Sequence, residues 1–391
     1  MNKYFFTPEI LDAMPEELAE LFRELEVTLL RSIAERLVKQ INEVALQNIR
    51  TLRSHGITLD EIKKAIQQTT QISAQKLDTL LDDCVKRNQK YYTELIDIER
   101  ITRPAALVDA AIIDGIIRQT RGEIRNIARS MGFKTGNTFT PAAKSYQWAL
   151  DNAIIQVDSG ISYSQAIANA TRQLADSGLS VIEFDSNGKT RADKVDVAVR
   201  RAVLTGVSQL NQEYADKSME YLKTDLVQVS AHMGARNIGT GFRNHESWQG
   251  RVYRWAKYPR TSKGDYPDFV KTCGLGNVQG IKGANCRHAY SPFIEGMTPA
   301  YTEDELNDLK ARKFTYQGKE YDTYTATQKQ REIERTIRKE KVKLAGATND
   351  TDRAAYKSKI RRLYKEYEDF SKAAGIRMQK DRANVYISEG K

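Results

Sequence analysis

The residues of this sequence best suited to chemistry are two histidines and two cysteines gathered in one Gly-rich stretch: His245, Cys273, Cys286 and His288. Cys286 and His288 stand two apart in Asn285-Cys286-Arg287-His288, so on extended backbone both side chains project from one face, close enough to share a ligand. Two thiolates and two imidazoles are a set that tetrahedral Zn²⁺ accepts, which makes a structural zinc the cofactor to test for. The spacing fits less well. Twelve residues separate Cys273 from Cys286, whereas structural sites usually carry paired Cys-x2-4-Cys knuckles. The same residues also suit packing, with Cys286 a small buried hydrophobe and His288 a hydrogen-bonded core histidine. A third reading is a Cys286 nucleophile with His245 or His288 as base, since a thiolate is populated at neutral pH only beside a group that lowers its pKa.

Other chemical motifs fall away on inspection. His245-Glu246 would need a second histidine at position 249 to form a zincin helix, and Gln249 stands there. Gly274, Gly276 and Gly280 have three residues in the second gap of a dinucleotide fingerprint, where two are required, and no long helix follows; turn chemistry explains them better. No Walker A sequence occurs, which disfavours an ATP-driven motor. Trp248, Tyr253 and Trp255 could stack on bases, but aromatics so spaced more often fill a small core.

A second chemical feature lies near the carboxyl end. The formal net charge over 391 residues is +10, and residues 327–391 hold 18 Lys+Arg against 10 Asp+Glu, a balance of +8. Tyr356, Ile360, Leu363, Tyr364, Tyr367 and Phe370 line one face of a helix there, and Lys357, Lys359, Arg361, Arg362 and Lys365 fill the rest. Those five are the candidate DNA contacts, through phosphates and without base readout; a solvated helix face is the bland alternative.

The elements that must position these residues are mostly helices. Apolar residues at three-to-four spacing predict one long helix from Pro15 to about Leu52, stopped at His55-Gly56. A second runs from the Thr58/Glu61 capping box to roughly Glu99, antiparallel to the first. Pro104 is expected to open a third helix toward Met131, the stretch GFKTGNTF to be a loop, and Thr140-Pro141 to start a fourth helix carrying Trp148. A fifth spans about Ser164 to Leu174. Asn-Gly within VIEF-DSNG-KTRA then predicts a small projecting β-hairpin, followed by a helix from Asp193 to Leu222. From Leu226 to Pro299 the composition shifts to three of the four histidines, two of the three cysteines and two of the three tryptophans. The expected fold is therefore mainly α, with long antiparallel helices, the hairpin, a compact α+β module rich in Gly, His and Cys, and a basic helical tail. The corresponding segments are 1–178, 179–225, 226–299 and 300–391.

Composition excludes several classes. With 8 Pro, 23 Gly and 3 Cys the chain is neither collagen-like nor a disulfide scaffold, and the odd thiol count suits a reducing compartment. Cys84, in a charged helical segment, is expected to be inert. The most apolar run, residues 105–117, is cut by Asp109 and Asp114, so no membrane span is expected. The start, MNKYFFTPEILDAMPEE, turns acidic where a signal peptide needs a basic and then an apolar stretch.

His245-Glu246-Ser247-Trp248-Gln249-Gly250-Arg251-Val252-Tyr253, followed by Asn285-Cys286-Arg287-His288 and Pro292-Phe293, resembles the phage minor capsid protein family, type 2. It is similar, more distantly, to the Mu F-like head-morphogenesis proteins, some of which end this motif in Cys-Arg-Cys where Cys-Arg-His stands here. The likeness extends upstream through Ser230-Ala231-His232-Met233-Gly234-Ala235-Arg236 and downstream through Gln328-Lys329-Gln330-Arg331 to Ile337-Arg338. It implies a structural virion protein in few copies, in the capsid interior near the portal vertex and in the host cytoplasm during assembly. Its implied partners are the portal protein and the major capsid protein, with packaged double-stranded DNA as a third. The resemblance implies no reaction; the competing expectation is a Cys/His-centred hydrolase or nuclease used by a phage.

Overall fold

The computed structural model describes residues 6–43, 60–98, 106–184, 190–283, 286–310 and 312–385, together with positions 102 and 104. The fold is mainly helical with small antiparallel sheets. It divides into two compact units, each assembled from separated stretches of chain. The first comprises Met1–Pro15, Leu77–Arg121 and Val203–Lys329; the second comprises Glu16–Lys76, Gly122–Ala202 and Gln330–Lys391. These interleaved units differ from the four consecutive segments that composition suggested, because composition follows the chain and packing does not.

Helix α1 (Pro8–Ala13) starts at the Thr7 cap, whose hydroxyl accepts from the Ile10 amide. In the second unit, α2 (Glu16–Glu43) buries Leu18, Phe22, Leu25, Leu29, Ile33 and Leu37, the stripe that three-to-four spacing predicts. Its expected continuation to Leu52, the His55-Gly56 stop and the Thr58 cap lie outside the described residues. Helix α3 runs over Asp60–Ile98. Helix α4 spans Ala110–Ser130 and does not begin at Pro104; the Asp109 carboxylate accepts from the Ala111 amide at 2.7 Å, and this cap sets the start.

GFKTGNTF is a hairpin, not a loop. Strands β1 (Gly132–Thr135) and β2 (Thr138–Pro141) pair across a Gly136-Asn137 turn in which Gly136 takes φ +61°. Helices α5 (Ser145–Asp158) and α6 (Tyr163–Ser177) follow and pack together, their buried Ala149, Ala153, Ala166 and Ala170 permitting close approach. The expected hairpin forms from β3 (Leu179–Phe184) and β4 (Thr190–Lys194), its tip at 185–189 lying outside the described residues. It does not stand alone. β1 pairs with the other edge of β3, giving a four-stranded antiparallel sheet in the order β2-β1-β3-β4.

Helix α7 (Val195–Leu222) buries Val195, Val199, Val203, Val207 and Leu210. In the first unit it leads into β5 (Leu226–Val229), the centre of a second antiparallel sheet between β6 (Val252–Arg254) and β7 (Tyr290–Phe293). All four residues of β5 are buried, including Gln228, whose side-chain amide donates to the Gly250 carbonyl at 3.3 Å, so both faces of the strand are covered. Trp248, Tyr253, Trp255, Phe269 and Tyr290 form the core beside this sheet, with Tyr92 and Tyr214. That core is where the aromatics of the module go, in place of base stacking. Short helices α8 (Phe269–Cys273) and α9 (Glu303–Asp308) and a two-stranded hairpin, β8 (Phe314–Tyr316) with β9 (Lys319–Tyr321), complete the first unit.

The carboxyl-terminal helices are α10 (Thr323–Ala345), α11 (Asp350–Ala374) and α12 (Lys380–Ala383). Asn349 caps α11 and Gly375, at φ +63°, ends it. Leu363, Tyr367 and Phe370 are buried on one face, and the Tyr367 hydroxyl donates to Glu334 at 2.5 Å while accepting from the Gln379 amide at 2.7 Å. Among the described residues, no helix is long and apolar enough to cross a membrane.

Candidate metal centre and basic helix

Three of the four residues singled out for metal converge. His245, Cys286 and His288 each offer a ligand atom, and these lie within 4.8 Å of one another. His245 sits in a single 3₁₀ turn after Asn244; Cys286 and His288 lie on the segment that enters β7. The Cys286 Sγ is 3.6 Å from His288 Nδ1. Cys273 is apart from them: it ends α8, is fully buried in the aromatic core, and its carbonyl accepts from the Ile281 amide at 2.8 Å. The structure thus brings three of the four together and leaves Cys273 apart.

Two residues that the sequence did not single out as ligands organise this group. The His232 ring lies 4.7 Å from that of His288, centroid to centroid, and His245 lies 5.3 Å from it. Gln249, at the position that a zincin motif would give to histidine, accepts through Oε1 from the His232 backbone amide at 3.0 Å and contacts His288 Nε2 at 3.1 Å. A backbone amide only donates, so that atom of Gln249 is the oxygen, and His288 Nε2 must carry the ring proton. His288 Nδ1 therefore presents its lone pair to Cys286. By the same logic the Gln279 carbonyl, 2.8 Å from His245 Nε2, places that ring's proton on Nε2.

Electrostatics keep the group neutral. Burial, with the Arg287 charge adding to it, pushes His232 down to about 3. Burial takes His245 down to about 4 against the Gln279 hydrogen bond. His288 falls well below the usual histidine range, through burial first and then the proximity of His232, His245, Arg287 and Lys282. Burial raises the Cys286 thiol. A neutral imidazole is a metal ligand, whereas a neutral thiol beside a neutral imidazole is a poor nucleophile. A cleft of about 490 Å³ in the same unit is lined by Arg251, Tyr253, Tyr266, Phe293, Tyr301 and Leu306, and none of the cluster's side chains is in its wall.

The glycines around the site are turn residues. Gly274 closes α8 at φ +68°, and a Cβ on Gly280 would lie 2.1 Å from the Gly274 carbonyl oxygen. On α11, Lys357, Arg361, Arg362 and Lys365 are exposed. Lys359 is not of that kind: its Nζ pairs with the buried Glu340 carboxylate at 2.8 Å.

Residues 6–372 match the family described as Phage minor capsid protein 2. The chain belongs to this family. Its members are phage structural proteins, so a virion component is the coarse identity of the molecule. A protein named "Structural protein" from Lactococcus phage LL-H is 24% identical over 336 residues, covering 84% of this chain and 85% of that one. No solved structure matches. Within this minor capsid protein the family-like stretches around His232, His245 and Cys286-Arg287-His288 are the ones that meet at the cluster; Asn285 lies outside the described residues.

Proposed function

We propose that this minor capsid protein works inside the head at the portal vertex, as a structural element of head assembly that also serves DNA packaging or ejection. It contacts the portal protein and the major capsid protein, and reaches that position from the host cytoplasm during assembly. The reading rests on family membership across residues 6–372. A reconstruction of the portal vertex without imposed shell symmetry tests it: density for this chain beside the portal is expected, and its absence there would overturn the assignment.

The basic face of α11 is assigned to packaged double-stranded DNA, through Lys357, Arg361, Arg362 and Lys365. Lys359 stays with Glu340 and helps hold α11 to α10. The competing reading is a hydrolase or nuclease with Cys286 as nucleophile and His288 as base, which the 3.6 Å approach invites. The raised thiol and lowered imidazole speak against it, because an active pair needs thiolate beside imidazolium. Cys286→Ser particles that assemble normally and fail only after infection would restore that alternative.

A further inference from the structure

Zinc bonds of about 2.0–2.1 Å to nitrogen and about 2.3 Å to sulfur, at a tetrahedral angle, set the two ligand atoms about 3.6 Å apart. Cys286 Sγ and His288 Nδ1 are already at 3.6 Å. A thiol hydrogen-bonded to an imidazole gives the same distance, so this pair alone decides nothing. The third residue does more. His245 brings a ring nitrogen within 4.8 Å of both, and its Nε2 proton is committed to the Gln279 carbonyl, which leaves Nδ1 as its lone-pair atom. Both histidines thus spend their N–H on an oxygen of another residue, the arrangement in which metal-bound imidazoles are held.

We propose that His245, Cys286 and His288 bind one Zn²⁺, with Gln249 and the Gln279 carbonyl orienting the two rings and solvent completing the coordination. The Cys286 thiolate supplies the negative charge that a buried divalent ion needs. Asp12 pairs with the neighbouring Arg287 at 3.3 Å, which lessens repulsion from that side. Cys273 takes no part. The site is independent of where in the head the protein sits, since its ligands all come from this chain.

Metal analysis of the purified full-length chain, followed by exchange of Zn²⁺ for Co²⁺, tests the proposal. About one equivalent of zinc, removed by chelator, is expected. The Co²⁺ form should show the visible bands of a four-coordinate site and a thiolate charge-transfer band. That band should vanish in Cys286→Ser and persist in Cys273→Ser. His245→Gln and His288→Gln should each lose at least tenfold in affinity, and Gln249→Ala should weaken it by about 10- to 100-fold. Zinc well below one equivalent in the wild-type chain, which needs no variant to fold, overturns the site. A charge-transfer band that survives Cys286→Ser but is lost in Cys273→Ser overturns the ligand set.

Discussion

The module around β5 and the pair α10/α11 bury similar kinds of large side chains by opposite means. In α10/α11 an apolar stripe recurs every three to four residues, and polar bonds between side chains are added to it: Tyr367 to Glu334, Gln330 to Ser371 at 3.0 Å and Lys359 to Glu340 at 2.8 Å. In the module, irregular backbone is tied by buried polar side chains that each serve several partners. Asp225 is the clearest. Its carboxylate accepts from the Ser262 amide and the Thr261 hydroxyl at 3.0 Å, from the Ser262 hydroxyl at 3.1 Å and from Arg254 Nε at 3.1 Å. Losing one such node strands several donors at once, whereas losing one residue of a stripe leaves a cavity.

The largest expected effect is therefore Asp225→Ala, which removes the acceptor from a buried charged network and should destabilise the first unit by about 3–5 kcal/mol. Trp248 and Trp255 lie in that unit, so urea unfolding followed by fluorescence in a Trp148→Phe background measures it. A loss under about 1 kcal/mol would erase the contrast. The same node predicts acid lability. Burial opposes the charge of Asp225, but hydrogen bonds from Ser262 and Thr261 outweigh it and hold the carboxyl below its usual range. A depressed carboxyl stabilises fully above the unfolded value, near pH 4, and that contribution is lost as pH falls through the folded value. Fluorescence-detected stability of the wild type should thus fall more steeply below pH 4 than that of Asp225→Ala.

In the stripe, Leu363→Ala should cost about 2–3 kcal/mol, the lower part of the range for a buried leucine, read by hydrogen exchange in peptides from α10 and α11. Tyr367→Phe keeps the ring but leaves Glu334 and the Gln379 amide without the hydroxyl, and about 1–2 kcal/mol is expected by the same measurement. If Tyr367→Phe proves costlier than Leu363→Ala, the tail too is held chiefly by polar bonds. The smallest effect on stability belongs to the joint change of Lys357, Arg361, Arg362 and Lys365 to alanine, within about 0.5 kcal/mol per site. It should nevertheless flatten the salt dependence of binding to duplex DNA by about 0.9 in log–log slope for each phosphate that is no longer neutralised. An unchanged slope would leave α11 as a solvated face.

The same contrast explains what was legible in the sequence. Helices α2, α7 and α11 announced themselves because period 3.6 is a local signal: each buried residue predicts the next. The hairpin at Gly136-Asn137 carried an equally local signal, a two-residue turn between extended residues, that the neighbouring Thr140-Pro141 cap overshadowed. The module's order could not be read this way. Gln249 reaches His232 across 17 positions and His288 across 39, and such pairings leave no period. Residue chemistry therefore pointed to Cys286 and His288 by their two-residue spacing. It enlisted Cys273 for its element type alone and passed over Gln249, whose role is visible only in its partners. The partner of Lys359 is hidden for the complementary reason, since the buried Glu340 with which it pairs sits 19 positions away on another helix.

The interleaving of the two units also sets an order of events at the ribosome. The first unit holds its whole complement of segments once residue 329 has been made, whereas the second waits for Gln330–Lys391, its last contribution being the helices that bury Leu363, Tyr367 and Phe370. Helix α2, synthesised before the other segments of its unit, belongs to the unit that closes last. Its Leu30 ends beside Gly346, so part of its apolar surface must wait, while some three hundred residues are added, for a neighbour that has not yet emerged.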